Sequence, residues 1–270
     1  GALHIALQAL GINKGDEVIV PDITWVATAR VVTYLGAKPV FADIDKDTWN
    51  IDPKSIERLI TTKTKAIIPV HLYGNPANLE ELKKISLKYK IKLVEDAAPA
   101  IGSLFKGIKC GTIGDFSAFS FQGAKLLVSG EGGILCTNSS KLYKIAKKIS
   151  DHGRNPNKTF WIDGPGLKYK ISNIQAAFAS GQLERVNHLI LMKRRVFQWY
   201  KEFLRNNNFL SLLEENENSY SNYWMISIFL RNNCNNKRDK LIQYLRSNNI
   251  DSRPVFSPIS EYPIWNKKHK

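Results

Sequence analysis

Apolar positions in the first 150 residues follow two alternating patterns. Segments with apolar residues three and four positions apart predict helices, and the short continuous apolar runs between them predict strands. The predicted helices are residues 2–11, Ala27–Leu35, a segment that opens at Asp52 or Pro53 and runs to Ile60, Asn78–Tyr89 and Ser139–Ile149. The predicted strands are Val18–Val20, Pro39–Ile44, Ala66–Leu72, Lys92–Asp96, Phe116–Phe121 and Gly133–Thr137. This alternation predicts the α/β class, with a mostly parallel sheet between two layers of helices.

The pattern changes after residue 150. Polar residues with Gly, Pro and Asn predict a loop over Asp151–Lys168, and a helical pattern then continues from Asn173 to Leu204. Further on, a strand is predicted at Tyr223–Leu230 and a helix at Lys237–Asn248. We therefore predict a large domain over residues 1–204, which includes the long connecting helix, and a small α+β domain over 205–270. The small domain is expected to be incomplete, because Pro254–Pro263 begins an element that the remaining residues do not finish.

The composition is that of an ordinary folded protein, with 43% hydrophobic and 23% charged residues in a chain of 270. That apolar content supplies a large core, which excludes wholesale disorder and a small stapled fold. No apolar run is long enough for a transmembrane helix and no signal peptide is recognised, so no membrane partner is expected. The net charge of +15 is spread over single and paired lysines along the whole chain, so no nucleic-acid partner is expected either.

The cysteines indicate a reducing compartment, and we predict a cytoplasmic protein. Cys110, Cys136 and Cys234 are far apart and form no CxxC pair, which argues against a disulfide framework and a zinc site. No metal is predicted, since the histidines that could bind one have no partner at metal-ligand spacing. Those histidines are His4, His188 and His269.

Three residues carry the candidate chemistry. Asp96 ends an apolar strand, where ligands bind in an open parallel sheet, although a helix N-cap also explains an Asp there. Lys125 has apolar neighbours and precedes a Gly-rich turn, where a lysine is either structural or, when partly desolvated, a usable amine nucleophile for carbonyl groups. Trp25 lies on an earlier strand-to-helix turn, where it is either core or a face for a flat ring. A lysine, an acid and an aromatic ring are the parts that a pyridoxal phosphate site requires.

The chain is identified as similar to the pyridoxal-phosphate-dependent sugar-nucleotide aminotransferases of the DegT/StrS type over nearly its whole length. The strings that carry this resemblance are ALHIALQALGINKGDEVIVPDITWVATA, GAKPVFADID, KAIIPVHLYGNPANL, VEDAAPAIGS, GDFSAFSFQGAKLLVSGEGG and KISNIQAAFASGQLERV. The resemblance implies a fold-type-I large domain, like that of aspartate aminotransferase. It also implies a homodimer whose active sites lie at the subunit interface.

The resemblance assigns roles to particular positions. Lys125 matches the lysine that holds the cofactor as a Schiff base, Asp96 the partner of the ring nitrogen, and Trp25 the aromatic that stacks on the ring. Ser120 matches the serine that binds the phosphate, and Gly1 matches the residue after the phosphate-binding turn at a helix N-terminus. A polar side chain from the other subunit is also implied at the phosphate, within residues 168–173, and Lys170 is our choice for it.

The chain departs from the family pattern in three ways. Pro99 stands where the family has a Gln or His that contacts the 3-hydroxyl of the cofactor, and proline donates no hydrogen bond. The chain is expected to begin one residue after the Thr of the phosphate turn. It is also expected to end within the small domain, and so to be a fragment of a longer protein.

Lys125 favours transamination, because a dehydrating branch of the family has His at that position. The resemblance implies that an amino acid, expected to be glutamate, gives its amino group to the cofactor, which passes through pyridoxamine phosphate and aminates a nucleotide-linked keto sugar. The string DHGRNPNKTFWIDGPGLKYKISNIQ is similar to 4-keto-6-deoxyhexose aminotransferases that make perosamine or viosamine for amino-sugar and surface-polysaccharide biosynthesis. His152, Trp161 and Arg253 are candidate substrate contacts, with surface or packing roles as the alternative.

Several alternatives stay open at this point. One is an aminotransferase for 3-keto sugars, or an enzyme of another pyridoxal class with the same fold. Another is a non-catalytic relative, which Pro99 favours and which Lys125, Asp96 and Ser120 oppose. The nucleotide, the hexose and the amino donor are also open. His71 is expected to be a buried, hydrogen-bonded histidine at a strand end rather than a catalyst.

Overall fold

Eleven strands lie within residues 1–231 and 237–265, which are the residues that the computed structural model describes. They are β1 (Glu17–Pro21), β2 (Lys38–Ala42), β3 (Thr64–Ile67), β4 (Lys92–Asp96), β5 (Leu104–Phe105), β6 (Ile108–Lys109), β7 (Phe116–Ser120), β8 (Gly133–Cys136), β9 (Leu210–Leu212), β10 (Ser219–Tyr220) and β11 (Ile228–Leu230). Six of them form the central sheet in the order β2-β1-β3-β4-β7-β8. Neighbours pair in parallel except β8, which runs antiparallel to β7. The predicted mostly parallel sheet is confirmed.

Helices cover both faces of this sheet. The α-helices of the described residues are α1 (Ala2–Ala9), α2 (Ala27–Tyr34), α3 (Pro53–Leu59), α4 (Leu79–Tyr89), α5 (Ser140–Ser150), α6 (Asn173–Glu184), α7 (Val186–Leu204) and α8 (Arg238–Ser247), with short 3-10 helices at Leu72–Gly74 and Ile259–Glu261, and the first five of the α-helices form the two layers. Successive residues of a strand point to opposite faces. Val18 and Val20 therefore join a core with α1, α2 and α5, while Ile19 joins a second core with α3 and α4.

Capping residues explain why several helices begin where the sequence predicts. Asp52 caps α3 by accepting hydrogen bonds from the N–H groups of Lys54 and Ser55, and Pro53 occupies the first turn. Ser172 begins α6 with a capping box to Gln175. These local signals are written in the sequence, so the predicted starts are confirmed.

Three predicted elements differ from the structure. The strand predicted over Ala66–Leu72 ends at Ile67, because Pro69 lacks an N–H for the ladder, and the chain then turns into a 3-10 helix. The long helix predicted over 173–204 is broken at Arg185, which has φ −101° and ψ 2° and separates two helices that pack on different partners. The strand predicted over Tyr223–Leu230 begins only at Ile228, since Tyr223 has φ +47° and leaves the extended region.

Residues 213–224 fold back onto the segment over residues 99–105. Strand β10 pairs with β5, which itself forms a small hairpin with β6. Arg194 on α7 binds Glu215 through two hydrogen bonds of 2.7 Å and also donates to the Ser221 carbonyl. A domain boundary after Leu204 stays a prediction.

Two sequence predictions concern residues outside the described part of the chain, namely those made for Cys234 and His269. Within residues 1–231 and 237–265, no group of three or more His, Cys, Asp and Glu side chains is arranged to hold a metal ion. None of the helices described here combines the length and the apolar character needed to cross a membrane.

Candidate active site

Asp96 ends β4 at the carboxyl edge of the sheet, and only 6% of its surface is exposed. Its carboxylate accepts hydrogen bonds from the Thr28 hydroxyl at 2.8 Å and from the Ala98 N–H at 3.2 Å. No cationic side chain in the described residues forms an ion pair with it. Burial raises the pKa of Asp96, although the Thr28 hydrogen bond acts in the opposite direction. A buried carboxylate that lacks a counterion costs folding free energy, and a bound cationic group would offset that cost.

Lys125 follows β7 in a half-buried position. Its Nζ lies 3.9 Å from the ring centroid of Trp224. Burial lowers the pKa of the Lys125 amine, and the charge of Asp96 opposes this shift. The predicted partial desolvation is therefore confirmed, and a lysine in this state reacts more readily with a carbonyl group because more of it is uncharged.

Asp96 and Lys125 lie close to each other at one edge of the sheet. Asp96 and Lys125 influence each other's pKa through their charges, without a direct ion pair between them. The sequence separates these residues widely, and the parallel sheet brings them together because its strand ends share one edge.

Ser120 lies on the same side of the sheet as Asp96. Asp96 pairs with Ala118 in the register of β4 and β7, and Ser120 is two residues further along β7, so its side chain points to the same face. Its Oγ accepts a long hydrogen bond from the Gln122 N–H at 3.4 Å. Gly1 begins α1, which packs against β7 and has no side-chain cap on its first N–H groups. Uncapped N–H groups at a helix N-terminus are suited to an anion.

Trp25 stands at one end of a row of aromatic side chains. It is 61% exposed, and its ring centroid lies 5.8 Å from that of Phe256. Phe256 stacks on Tyr73 with centroids 5.6 Å apart, and Tyr73 lies 6.3 Å from Trp224. This aromatic row, consisting of Trp25, Phe256, Tyr73 and Trp224, leads from the predicted stacking residue to the predicted cofactor lysine.

Lys170 forms an ion pair with Asp151 of its own chain, with Nζ and Oδ1 2.9 Å apart. Its neighbour Tyr169 lies beside the start of α1, where a Cβ on Gly1 would come within 3.2 Å of Tyr169 Cδ2. The segment that contains Lys170 is therefore adjacent to the helix N-terminus proposed for phosphate. A role for Lys170 across a subunit interface stays a prediction.

The three candidate substrate contacts lie on exposed segments. His152 is exposed with a positive φ of 60°, and Trp161 is half-exposed beneath Lys158, whose Nζ lies 3.5 Å from the indole centroid. Arg253 is exposed and lies 3.4 Å from Asp251. None of the contacts described for these three side chains reaches Asp96 or Lys125, and their roles stay predictions.

The opposite face of β4 holds a second, fully buried carboxylate. Glu95 accepts hydrogen bonds from the N–H groups of Gly111, Ile113 and Gly114 at 2.6–2.8 Å and lies 3.1 Å from His71 Nε2. Burial alone would raise the pKa of Glu95, but the His71 hydrogen bond and these N–H groups lower it. The Ala77 N–H donates to His71 Nδ1, so the ring proton lies on Nε2 and points to Glu95. The prediction that His71 is a buried, hydrogen-bonded histidine is confirmed.

A cavity of about 600 Å³ opens on the same side of the sheet as Glu95. Its lining includes Phe119, Cys136 and Ile190. In the part of the chain that the structure describes, that lining contains none of the site residues predicted from the sequence. The candidate chemistry therefore belongs to the Asp96 side and not to this cavity.

The residues present fit pyridoxal phosphate. The buried carboxylate of Asp96 suits a protonated ring nitrogen, the Lys125 amine suits an aldehyde, and the uncapped N-terminus of α1 suits a phosphate. Pro99 offers only its carbonyl oxygen, which accepts a hydrogen bond of 2.9 Å from Asn222 Nδ2. The deciding observation is Asp96, since burial without a counterion is costly unless a cation binds there.

Sequence reasoning missed the residues that reach this site from distant segments. The sequence predicts Thr28 only as part of a helix. The signal that could have identified it is a hydroxyl side chain on α2 close to Trp25 in the chain, which can donate to a carboxylate. Trp224, Tyr73 and Phe256 gave no local signal of contact, because each comes from a different loop.

Curated relatives cover the chain almost completely. The GDP-perosamine synthase of Escherichia coli O157:H7 is 39% identical over 269 residues, which is 100% of this chain and 73% of that protein. The GDP-perosamine synthase of Caulobacter vibrioides is 40% identical over 265 residues, which is 98% of this chain and 71% of that protein.

A solved structure agrees with the architecture. The PLP form of Spr1654 from Streptococcus pneumoniae, a proposed sugar aminotransferase, superposes with a TM-score of 0.92 at 29% identity, over 99% of this chain and 74% of that one. A DegT DnrJ EryC1 StrS aminotransferase from Brucella abortus also superposes, with a TM-score of 0.92 at 29% identity, over 98% of this chain and 72% of that one. The predicted fold-type-I architecture is confirmed.

The profile of the DegT/DnrJ/EryC1/StrS aminotransferase family matches residues 1–270. This match confirms the resemblance carried by the motif strings, and with it the predicted enzyme class and the use of pyridoxal phosphate. The chain belongs to the DegT/DnrJ/EryC1/StrS aminotransferase family.

Proposed function

We propose that this protein transfers the amino group of an amino acid, glutamate, to the keto carbon of a nucleotide-linked 4-keto-6-deoxyhexose. The product is a 4-amino-4,6-dideoxy sugar nucleotide for amino-sugar and surface-polysaccharide biosynthesis. The observation that carries the proposal is that two side chains lie near each other at one edge of the sheet. Asp96 is buried without a counterion, and Lys125 is half-buried. Identity of 39–40% to GDP-perosamine synthases over almost the whole chain supports the substrate class.

Each residue has a defined task in this reaction. Pyridoxal phosphate supplies an aldehyde that combines with amines and a ring that accepts electrons. Lys125 would hold that aldehyde when no substrate is present, and its free amine would act as the base and then the acid that moves the proton of the carbon bearing the amino group. Asp96 keeps the ring nitrogen protonated, and Thr28 holds the Asp96 carboxylate in position. Ser120 and the N–H groups after Gly1 bind the phosphate, and Trp25 stacks on the ring.

A second copy of this chain is the proposed partner, with sites shared at the interface. The exposed face of α6 carries apolar side chains, including Ile174 at 72% and Phe178 at 65% exposure, one helical turn apart. Helix faces of this kind are typical of interfaces rather than of solvent-facing surface. Lys170, on the segment before α6, is the proposed contribution to the partner's phosphate site. The free thiols of Cys110 and Cys136 support a cytoplasmic location.

The test is an assay of the purified protein with pyridoxal phosphate, glutamate and sugar nucleotides that carry either a 4-keto or a 3-keto group. We expect amination of the 4-keto substrate, detected as a new sugar amine by mass spectrometry, with His152, Trp161 and Arg253 variants raising KM. Lys125→Ala is expected to abolish repeated turnover. Preference for the 3-keto substrate would overturn the proposed regiochemistry, and repeated turnover by Lys125→Ala would overturn the assigned chemistry.

A further inference from the structure

Trp224 contacts Lys125, but the proposed reaction assigns Trp224 no role. We propose that Trp224 is a positioning residue for Lys125, whose indole face holds the free lysine amine in one orientation whenever that amine is not bonded to the cofactor. This inference rests on the proposed function, because it takes the covalent role of Lys125 as given. It adds a residue that neither the motif strings nor the family pattern assigned.

The indole contacts Lys125 in two ways. The Lys125 Nζ lies 3.9 Å from the Trp224 ring centroid, within the range of a cation–π interaction. The Trp224 Nε1–H donates a 2.7 Å hydrogen bond to the carbonyl of Ala124, the residue just before Lys125. The same ring therefore fixes both the end of the lysine side chain and the backbone from which it starts.

Asn222 fixes the position of Trp224. Trp224 is 8% exposed, and its N–H donates a 2.8 Å hydrogen bond to Asn222 Oδ1. Asn222 Nδ2 in turn donates to the carbonyl oxygens of Pro99 and Ile101 at 2.9 and 3.0 Å. A Cβ on Gly74 would lie 1.9 Å from Asn222 Oδ1, so glycine is required for this approach. Because Trp224 and Asn222 are both buried, the indole presents one fixed face to the amine.

The backbone around this contact is strained. Tyr223 and Tyr73 have φ values of +47° and +53°, in the left-handed region that tyrosine rarely adopts. One precedes Trp224 in the chain and the other contacts its ring. Strained backbone of this kind persists where the surroundings enforce it and is concentrated at functional sites. The strain is consistent with selection for the position of the Trp224 ring rather than for packing alone.

Two forces then act on the free amine. The charge of Asp96 attracts it from one direction, and the Trp224 ring face attracts it from another. Both favour the ammonium form, and burial opposes them. Removal of the ring face while burial is kept should therefore favour the neutral amine but leave its orientation free.

The experiment measures capture of pyridoxal phosphate by protein from which the cofactor has been stripped. Wild type, Trp224→Phe, Trp224→Leu and the control Trp199→Leu are mixed with pyridoxal phosphate over a range of pH. The absorbance change gives the capture rate, and borohydride trapping with peptide mapping reports whether Lys125 carries the label. Trp199 is a matched control, because it is a half-exposed indole in a cation–π contact with Arg195 on α7, away from the site.

We expect Trp224→Leu to slow capture about tenfold and to lower the midpoint of its pH profile by about half a unit, as the loss of a partly desolvated cation–π contact would do. Trp224→Phe keeps a ring face and should stay within about threefold of wild type, and Trp199→Leu should be unchanged. Circular dichroism checks the fold, and Trp224→Met replaces the leucine variant if that variant is misfolded.

Wild-type rate and pH midpoint in the leucine or methionine variant would overturn the positioning role. A phenylalanine variant as slow as the leucine variant would also overturn it, since the ring face would then be irrelevant. Failure of wild type to label Lys125 would instead overturn the proposed function, so the two failures are distinguishable.

Discussion

Strand β4 ends in two adjacent carboxylates whose surroundings are opposite. Glu95 points to one face of the sheet, is fully buried, and accepts hydrogen bonds from three backbone N–H groups and His71. Asp96 points to the other face and accepts hydrogen bonds from Thr28 and Ala98 only. The pKa of Glu95 is lowered by His71 and the N–H groups in spite of burial, whereas burial raises the pKa of Asp96.

This difference separates a structural acid from the proposed functional one. A carboxylate whose oxygens all accept hydrogen bonds within the protein stabilises the fold, and it has no acceptor site left for a ligand. A buried carboxylate with a raised pKa is held at a cost in folding free energy that a bound cation can offset. The two side chains are neighbours in sequence, so composition alone does not distinguish them, and only their hydrogen-bond partners do.

The largest expected effect follows from Asp96→Asn. The neutral amide no longer keeps a ring nitrogen protonated, so we expect turnover to fall about 10³-fold. Stability should be unchanged or slightly higher, because Asn still bonds Thr28 and the buried charge is gone. Steady-state kinetics and thermal unfolding check both parts, and a variant with most of its activity intact would remove the distinction between the two acids.

Glu95→Gln should have the opposite consequence. One oxygen that accepts two hydrogen bonds becomes an NH₂ group that faces donors, so the unfolding free energy should fall by about 3 kcal/mol. Denaturant unfolding measures this loss. The control is Glu57→Gln, which disrupts an exposed ion pair with Lys88 and should leave the midpoint unchanged. A Glu95 variant as stable as this control would show that the buried hydrogen bonds contribute little.

The pH dependence of unfolding should differ in sign between the two acids in cofactor-free protein. The folded pKa of Glu95 is lowered, so its stabilisation is present above its ordinary pKa and is lost as pH falls through the folded value. The folded pKa of Asp96 is raised, so stability is lost as pH rises through the folded value.

The measurement is the unfolding free energy of wild type and both variants from acid to neutral pH. The advantage of Asp96→Asn over wild type should grow with rising pH, and so should the deficit of Glu95→Gln. Parallel curves for the three proteins would contradict the assigned pKa directions.

The smallest effect is expected at Thr28. Thr28→Val removes the 2.8 Å hydrogen bond to Asp96 and should weaken pyridoxal phosphate binding about fivefold, the equivalent of one hydrogen bond. Thr28→Ser keeps the hydroxyl and should bind as wild type does. Equilibrium titration followed by absorbance separates these outcomes, and equal weakening in both variants would mean that side-chain shape matters rather than the hydroxyl.

Local signals in the sequence predicted most of the sheet and the two central site residues. Buried apolar runs identify strands such as Lys92–Asp96 without tertiary information, and the strand-end rule then selects Asp96. The apolar neighbours of Lys125 and its Gly-rich turn made it a candidate, and the family motifs then assigned its role. The predicted helix over 173–204 failed at Arg185 because its two halves pack on different partners, which periodicity does not report.

Contacts between distant segments were not predictable from local pattern. Trp224 reaches Lys125 from 99 positions further along the chain, and nothing in its own surroundings in the sequence indicates that contact. Phe256 reaches Trp25 in the same way. Glu95 and Asp96 show the limit most clearly, since their different roles depend on Thr28, His71 and a turn at Gly111–Gly114.

The contacts of Asn222 with Gly74 and Ser103 also affect when the cofactor site is completed during protein synthesis. The Asn222 N–H bonds Ser103 Oγ across 119 positions, and Trp224 bonds Ala124 across 100. A ribosome therefore releases the strands that carry Asp96 and Lys125 long before it releases the residues that brace the lysine. Loop closure over such a span is slow relative to the formation of local strands and helices. The nascent sheet therefore forms first, and the contact between Trp224 and Lys125 forms last. Cofactor capture by a newly made chain should accordingly follow the release of residues 222–224 rather than the folding of the core.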